Sequence, residues 1–181
     1  MDCGVKIEEG RIINDFIEPN KCQYAIPVYQ RNYEWSAEQC RKLFVDVVTA
    51  HKRDRRHFCG SVVYAPLKSE KKINYYVVID GQQRLTALLA AMYGVTIKDK
   101  NYKERKIRIS FNPLTREFAV WTQAYERNPE WISEISSVFA ADQEHNISKF
   151  RKAFIRTANE GRAKNNEPEL TEDEEDIIEE N

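Results

Sequence analysis

The stretch NYYVVIDGQQRLTALLAAMYG, residues 74–94, constrains the fold more than any other part of the chain. A run of β-branched and aromatic residues stops on Asp80, and Gly81 follows. Leu85, Leu88, Leu89 and Met92 then recur at helical spacing over 83–93, until Gly94 offers a stop. A strand must therefore enter a helix through a one-glycine turn. The β-rich run HFCGSVVYAP (57–66) precedes this strand, and the charged LKSEKKI lies between them, which predicts a hairpin. KIRISF (106–111) alternates as a strand does, and a turn leads to another strand near Phe118–Trp121. Strands and helices mixed in this order predict an α+β fold, a small mixed or antiparallel sheet with flanking helices.

The remaining segments are helical or loop-like. Ile12, Ile13, Phe16 and Ile17 predict a short amphipathic helix ending near Pro19, and YAIPVYQ (24–30) a short extended segment. Ser36 and Gln39 have capping-box spacing. The helix they open would put Cys40, Leu43, Phe44, Val47, Val48 and His51 on one core-facing stripe. NPEWISEISSVFA (128–140) and NISKFRKAFIRTANEG (146–161) predict a C-terminal helical extension, the second lined by Ile147, Phe150 and Phe154. RAKNNEPEL reads as a loop, and TEDEEDIIEEN as the start of a further helix. The expected division is an α+β domain over 1–125, a helical extension over 126–160 and an acidic tail over 161–181 that begins a region of a longer protein.

Bulk properties exclude several classes. A chain of 181 residues buries enough surface for a core without metal or disulfide. No apolar stretch approaches the roughly 20 residues of a membrane span, and MDCGVKIEEG has no signal-peptide core, so a cytoplasmic protein without a membrane partner is expected. Cys3, Cys22, Cys40 and Cys59 are separated by 17 or 18 residues with no Cys-x-x-Cys pair, which suits reduced thiols. His51, His57 and His145 have no metal-ligand spacing. The net charge of -1 conceals segregation: residues 41–108 hold 16 Lys/Arg against 6 Asp/Glu, whereas residues 160–181 hold 2 against 10. A cationic middle suits solvated faces or a polyanionic partner.

Asp80 to Arg84 admits two readings. Asp80 could cap the helix with Gln83 reaching back, while Gly81 permits the turn. That leaves Gln82 unexplained, and a cation at Arg84 opposes the helix dipole. A phosphate at the helix N-terminus accounts for both: Arg84 clamps it, Gln82 and Gln83 donate to it, and Asp80 holds Mg2+ or orients a water. IPVYQRNYEW (26–35) carries a second Gln-Arg pair, Gln30 and Arg31. Beside it, Tyr29 and Tyr33 could stack on a base or sugar, or simply pack, with Trp35 stapling the next helix. FCGSV adds Gly60 and Ser61, where a glycine permits close backbone approach or merely a bulge. HKRDRRHF is either a solvated loop or a DNA-phosphate contact through Arg53, Arg55 and Arg56.

In order and spacing, IPVYQRNYEW, HFCGSVV and VIDGQQRLTALLA resemble the N-terminal domain family marked by an Asp-Gly-Gln-Gln-Arg motif in modification-dependent (type IV) restriction systems of the GmrSD kind. The resemblance spans about residues 11–122. It implies a ParB/sulfiredoxin-like α+β fold that binds or hydrolyses a nucleoside triphosphate with Mg2+ and controls cleavage of modified phage DNA. Asp80, Gly81, Gln82, Gln83 and Arg84 would form the phosphate and metal site, completed by Gln30 and Arg31. Asp80 and Arg84 would be catalytic. Family members often carry a C-terminal nuclease domain with a His-Asn-His-type motif, which is not in this chain; such a domain or a partner subunit is the expected companion. No Gly-x-x-x-x-Gly-Lys-Ser/Thr loop is present. The alternatives are a DNA-binding adaptor without turnover and a DNA-nicking domain using Asp80 as metal ligand.

Overall fold

A computed structural model describes residues 22–27, 32–55, 57–67 and 74–180. The helix expected at Ile12–Ile17 and the candidates Tyr29, Gln30, Arg31 and Arg56 lie outside these residues. The chain divides into two compact units, Met1–Arg31 with Gly60–Gln82, and Asn32–Cys59 with Gln83–Asn181.

Among the described residues the first unit forms a three-stranded sheet. Strands β1 (Cys22–Ala25), β2 (Val63–Leu67) and β3 (Asn74–Asp80) lie in the order β1-β3-β2. β1 runs parallel to β3, with Ala25 opposite Val77, and β2 runs antiparallel to it, with Ala65 opposite Val77. The hairpin expectation holds, although β2 starts only at Val63, where a register shift bends the strand. Tyr64 and Tyr76 meet edge to face at 5.1 Å on the face that buries Val78.

Helix α1 (Ala37–Lys52) opens the second unit through the expected capping box: Ser36 Oγ accepts the Gln39 N–H and Gln39 Oε1 accepts the Ser36 N–H. Its stripe buries Cys40, Leu43 and Phe44, whereas His51, expected on that stripe, is exposed because it lies at the helix end. The other helix of this core, α2 (Gln82–Tyr93), buries Leu85 and Leu88 with Ala87, Ala90 and Ala91. The small residues let α1 approach closely enough for Cys40 Sγ to reach Ala87 O at 3.5 Å. Burial pushes the Cys40 thiol up to about 12, so it remains a neutral apolar filler. Gly94 ends α2 at φ +64°.

Two antiparallel ribbons complete this unit, β4 (Ile97–Lys98) with β5 (Glu104–Arg105), and β6 (Ile109–Asn112) with β7 (Glu117–Val120). Phe118 of β7 stacks on Phe44 at 5.8 Å and on Phe111 at 4.6 Å, tying the ribbon to α1. Of the helix expected over 128–140 only the end forms: a short α3 (Gln123–Arg127) precedes it, and residues 128–135 are turns and bends around one bridge at Ile132. β6 captures that backbone: Phe111 and Ile132 exchange N–H···O bonds of 2.9 and 2.8 Å, and Ile135 N–H reaches Ile109 O at 2.9 Å. Only beyond this edge pairing does α4 (Ser136–Gln143) begin.

Helix α5 (Ile147–Lys164) and α6 (Glu172–Glu180) form a cap-and-clasp pair. Thr171 opens α6, its N–H and hydroxyl both donating to Glu174 while its Oγ accepts the Glu174 N–H. Ala158, Leu170 and Ile178 are buried together beside Phe154 and Ile155. Arg162 joins the layers, with Nε at 2.7 Å from Glu130 and Nη2 at 3.2 Å from Glu174. The Thr171 N–H first, and then Arg162, hold the Glu174 carboxyl below its ordinary 4.5. A depressed folded-state value stabilises α6 above the ordinary value and is lost as pH falls through the depressed one. Hydrogen exchange should therefore show α6 losing protection before α2, which carries no carboxylate, as the solution is acidified below the ordinary carboxylate range.

Candidate functional site

In the first unit, β3 ends at Asp80, paired with Val63, and the chain turns at Gly81 with φ +88°. A side chain at Gly81 would sit 3.0 Å from Val62 Cγ2 and 3.1 Å from Ser61 O, so both the turn and the close approach of the Ser61–Val62 backbone require glycine. Gly60 also has positive φ, at +90°. Ser61 is exposed and engaged in a contact. Asp80 is exposed, and no hydrogen bond or ion pair within the chain occupies its carboxylate among the described residues.

The capping-box reading of Asp80 and Gln83 is not what forms. In the second unit Gln83 is 6% exposed, and its amide is spent on backbone about 50 residues away. Gln83 Oε1 accepts the Glu34 N–H at 2.8 Å, and Nε2 donates to Asn32 O at 3.1 Å. A buried amide facing one donor and one acceptor is a clamp. The geometry thus turns Gln83 from a phosphate contact into the residue that holds the end of the first motif, next in sequence to Arg31. A second tie fixes the same segment, a parallel bridge between Tyr33 and Asp99.

Tyr33 is corrected as well. It is 3% exposed and cannot offer a face to a base or sugar. Its ring lies in the core with the Arg105 guanidinium carbon 6.0 Å from the centroid. Burial, and then the Cys40 thiol, push its hydroxyl well above the phenol range against the pull of Arg105. Among the described residues the oxygen finds no hydrogen-bond partner.

Arg84 lies in the first turn of α2, half-buried, and Nη1 donates to Cys59 O at 2.6 Å. It therefore holds the backbone of the third motif as Gln83 holds that of the first. Burial pushes the Cys59 thiol up, and the Arg84 cation draws it back down. Gln82 is half-buried and engaged. The first turn of α2 contains no acidic residue, and Arg84 is engaged in a further contact besides Cys59.

No group of three or more His, Cys, Asp or Glu could hold a metal among the described residues. Mg2+ needs only one or two carboxylates beside substrate phosphates, and Asp80 is an exposed carboxylate at this turn. Arg53 and Arg55, the candidate DNA contacts, are exposed in the turn after α1.

Sequence reading missed the partners rather than the motifs. Asn32, Glu34 and Cys59 act through backbone atoms, which residue type does not reveal. One signal was available: Gln83 shares the buried stripe of Ala87, Ala90 and Ala91, at spacings of four, seven and eight. A polar residue at such a position must find partners inside.

Among the described residues no helix is long and apolar enough to cross a membrane. The family model described as GmrSD restriction endonuclease, N-terminal domain, matches residues 13–180. No curated protein and no solved structure matches the chain.

Proposed function

Because the chain belongs to the family of GmrSD restriction endonuclease N-terminal domains, we propose that it binds a nucleoside triphosphate through Asp80–Arg84 and hydrolyses it to control DNA cleavage. The observation that carries this reading is the Asp80 carboxylate, exposed and unengaged, directly before a glycine turn into a helix whose first turn holds a cation. A carboxylate used for capping would have been bonded to helix N–H groups. The expected cap is missing, and the expected capping partner Gln83 is turned elsewhere.

Each residue then has a physical task. Arg84 offers a guanidinium whose planar donors match phosphate oxygens. Gln82 and the helix N–H groups are the neutral donors nearest in sequence. Gly81 permits the positive-φ turn and the close approach of the Ser61–Val62 backbone. Asp80 would hold Mg2+, which supplies charge neutralisation of the phosphates. Gln83 is a positioning residue, since it fixes the Asn32–Glu34 backbone that follows Gln30 and Arg31. Phosphoryl transfer is chiefly positioning and electrostatics, so a site without a nucleophile triad is sufficient.

A thermal-shift panel of nucleoside triphosphates with Mg2+ tests the reading. A ligand at 100 times its Kd adds about 2.7 kcal/mol of stability, equivalent to a rise of several degrees. The expected result is a rise that requires the triphosphate and is larger with Mg2+, accompanied by phosphate release. No shift with any triphosphate, together with DNA affinity that falls steeply with salt, would instead identify a binding module without turnover.

A further inference from the structure

The segment HKRDRRHF follows α1 and is not used by the nucleotide reading. Residues 51–55 close the helix in a hydrogen-bonded turn. Asp54 N–H reaches His51 O at 2.9 Å and Arg55 N–H reaches Ala50 O at 2.9 Å, with Asp54 at φ +50°. These two bonds make a Schellman motif, with aspartate in the left-handed position usually given to glycine. Lys52, Arg53, Arg55 and His57 are all exposed, and no ion pair engages Lys52, Arg53 or Arg55 among the described residues. Lys52 complements the helix C-terminus. Arg55 lies beyond the reach of that explanation, and Asp54 is the one acidic residue of the segment.

Phe58 ends the segment and is 80% exposed. Burying such a ring is ordinarily worth roughly 1.5–3 kcal/mol, so its display to water is costly unless something covers it in use. Next to it in sequence, the Cys59 carbonyl accepts from Arg84 Nη1 at 2.6 Å. A protein partner would favour an apolar interface core depleted of charge. An aromatic ring following four Lys/Arg within seven residues has the composition of a surface for nucleic acid with unstacked bases, where cations follow the phosphates and the ring stacks.

We infer that the turn formed by Lys52, Arg53, Arg55 and Phe58 contacts DNA, the cations holding phosphates and Phe58 stacking on an unpaired or extruded base. The inference rests on the DNA-restriction part of the reading above and needs no nucleotide. It assigns Phe58 the role of distinguishing distorted from regular duplex.

The test is fluorescence anisotropy of the full chain, without nucleotide, on a labelled duplex carrying one unpaired base and on its fully paired counterpart. Wild-type protein should prefer the unpaired-base duplex. Phe58→Ala should remove that preference, about a tenfold loss on the distorted duplex and little on the paired one, as expected for one base–aromatic stack. Arg53→Gln with Arg55→Gln should weaken both duplexes equally and reduce the slope of log affinity against log salt by about 2. Phe58→Leu keeps an apolar side chain and should behave like Phe58→Ala. Equal affinity of wild type and Phe58→Ala for the distorted duplex overturns the inference. So does binding to anionic lipid vesicles in place of DNA, or a change of oligomeric state in Phe58→Ala with DNA affinity unchanged. A nucleotide-induced thermal shift retained by Phe58→Ala separates this outcome from failure of the nucleotide site.

Discussion

Arg84→Ala is expected to abolish triphosphate-induced stabilisation and to reduce hydrolysis by at least about 10³, the lower range seen when a transition-state arginine is removed from a phosphoryl-transfer site. Two losses combine in that variant. The phosphate forfeits its charge-assisted donors, and the Cys59 carbonyl forfeits the donor 2.6 Å away. The second loss concerns a half-buried group and should cost about 1 kcal/mol of stability. Arg84→Lys separates them. It keeps a cation beside Cys59 but presents a point charge where a planar fork was, so nucleotide affinity should recover in part while hydrolysis stays low. Thermal shift and phosphate release on wild type, Arg84→Lys and Arg84→Ala together decide the matter. If hydrolysis survives in Arg84→Ala, the arginine is a structural tie to the third motif and the phosphate site lies elsewhere.

The same four-residue spacing that predicted two capping boxes correctly described one of them. Ser36 and Gln39 close on each other because no stronger partner competes in an exposed turn. Asp80 and Gln83 do not, because Gln83 is taken by backbone groups 49 and 51 positions away. Local pattern is therefore reliable where the outcome is decided within one turn, as also for Gly81 and Gly94 and for the β2–β3 hairpin. It is silent where a distant backbone decides. Ile132 and Ile135 show the same limit: their segment has helical periodicity, yet β6 offers it edge hydrogen bonds that the helix would have to forgo. Tyr33 shows it for the site. A tyrosine beside a Gln-Arg pair suggests a stacking platform, but only the packed fold reveals that the ring is enclosed.

Gln83→Leu tests whether the motif glutamine is a clamp or a ligand contact. Leucine matches the volume and the buried stripe but leaves the Glu34 N–H and the Asn32 carbonyl without partners. An unsatisfied buried group costs roughly 1–3 kcal/mol, and both of these lie near solvent, so about 2–3 kcal/mol in total is expected. For a chain of this size that lowers Tm by about 5–10 °C. Gln83→Glu should be worse at neutral pH: a carboxylate accepts from Glu34 but opposes the Asn32 carbonyl, and it places a charge at a position 6% exposed. Burial favours the neutral acid, so the introduced carboxyl titrates above its unfolded value. The penalty is then present above that raised value and shrinks as pH falls through it, when an O–H can donate to Asn32. Thermal melts of the three proteins at neutral and mildly acidic pH provide the comparison. A phosphate ligand predicts the opposite pattern, an unchanged Tm with lost nucleotide affinity, whereas a clamp lowers Tm first and weakens binding only through the displaced backbone after Arg31.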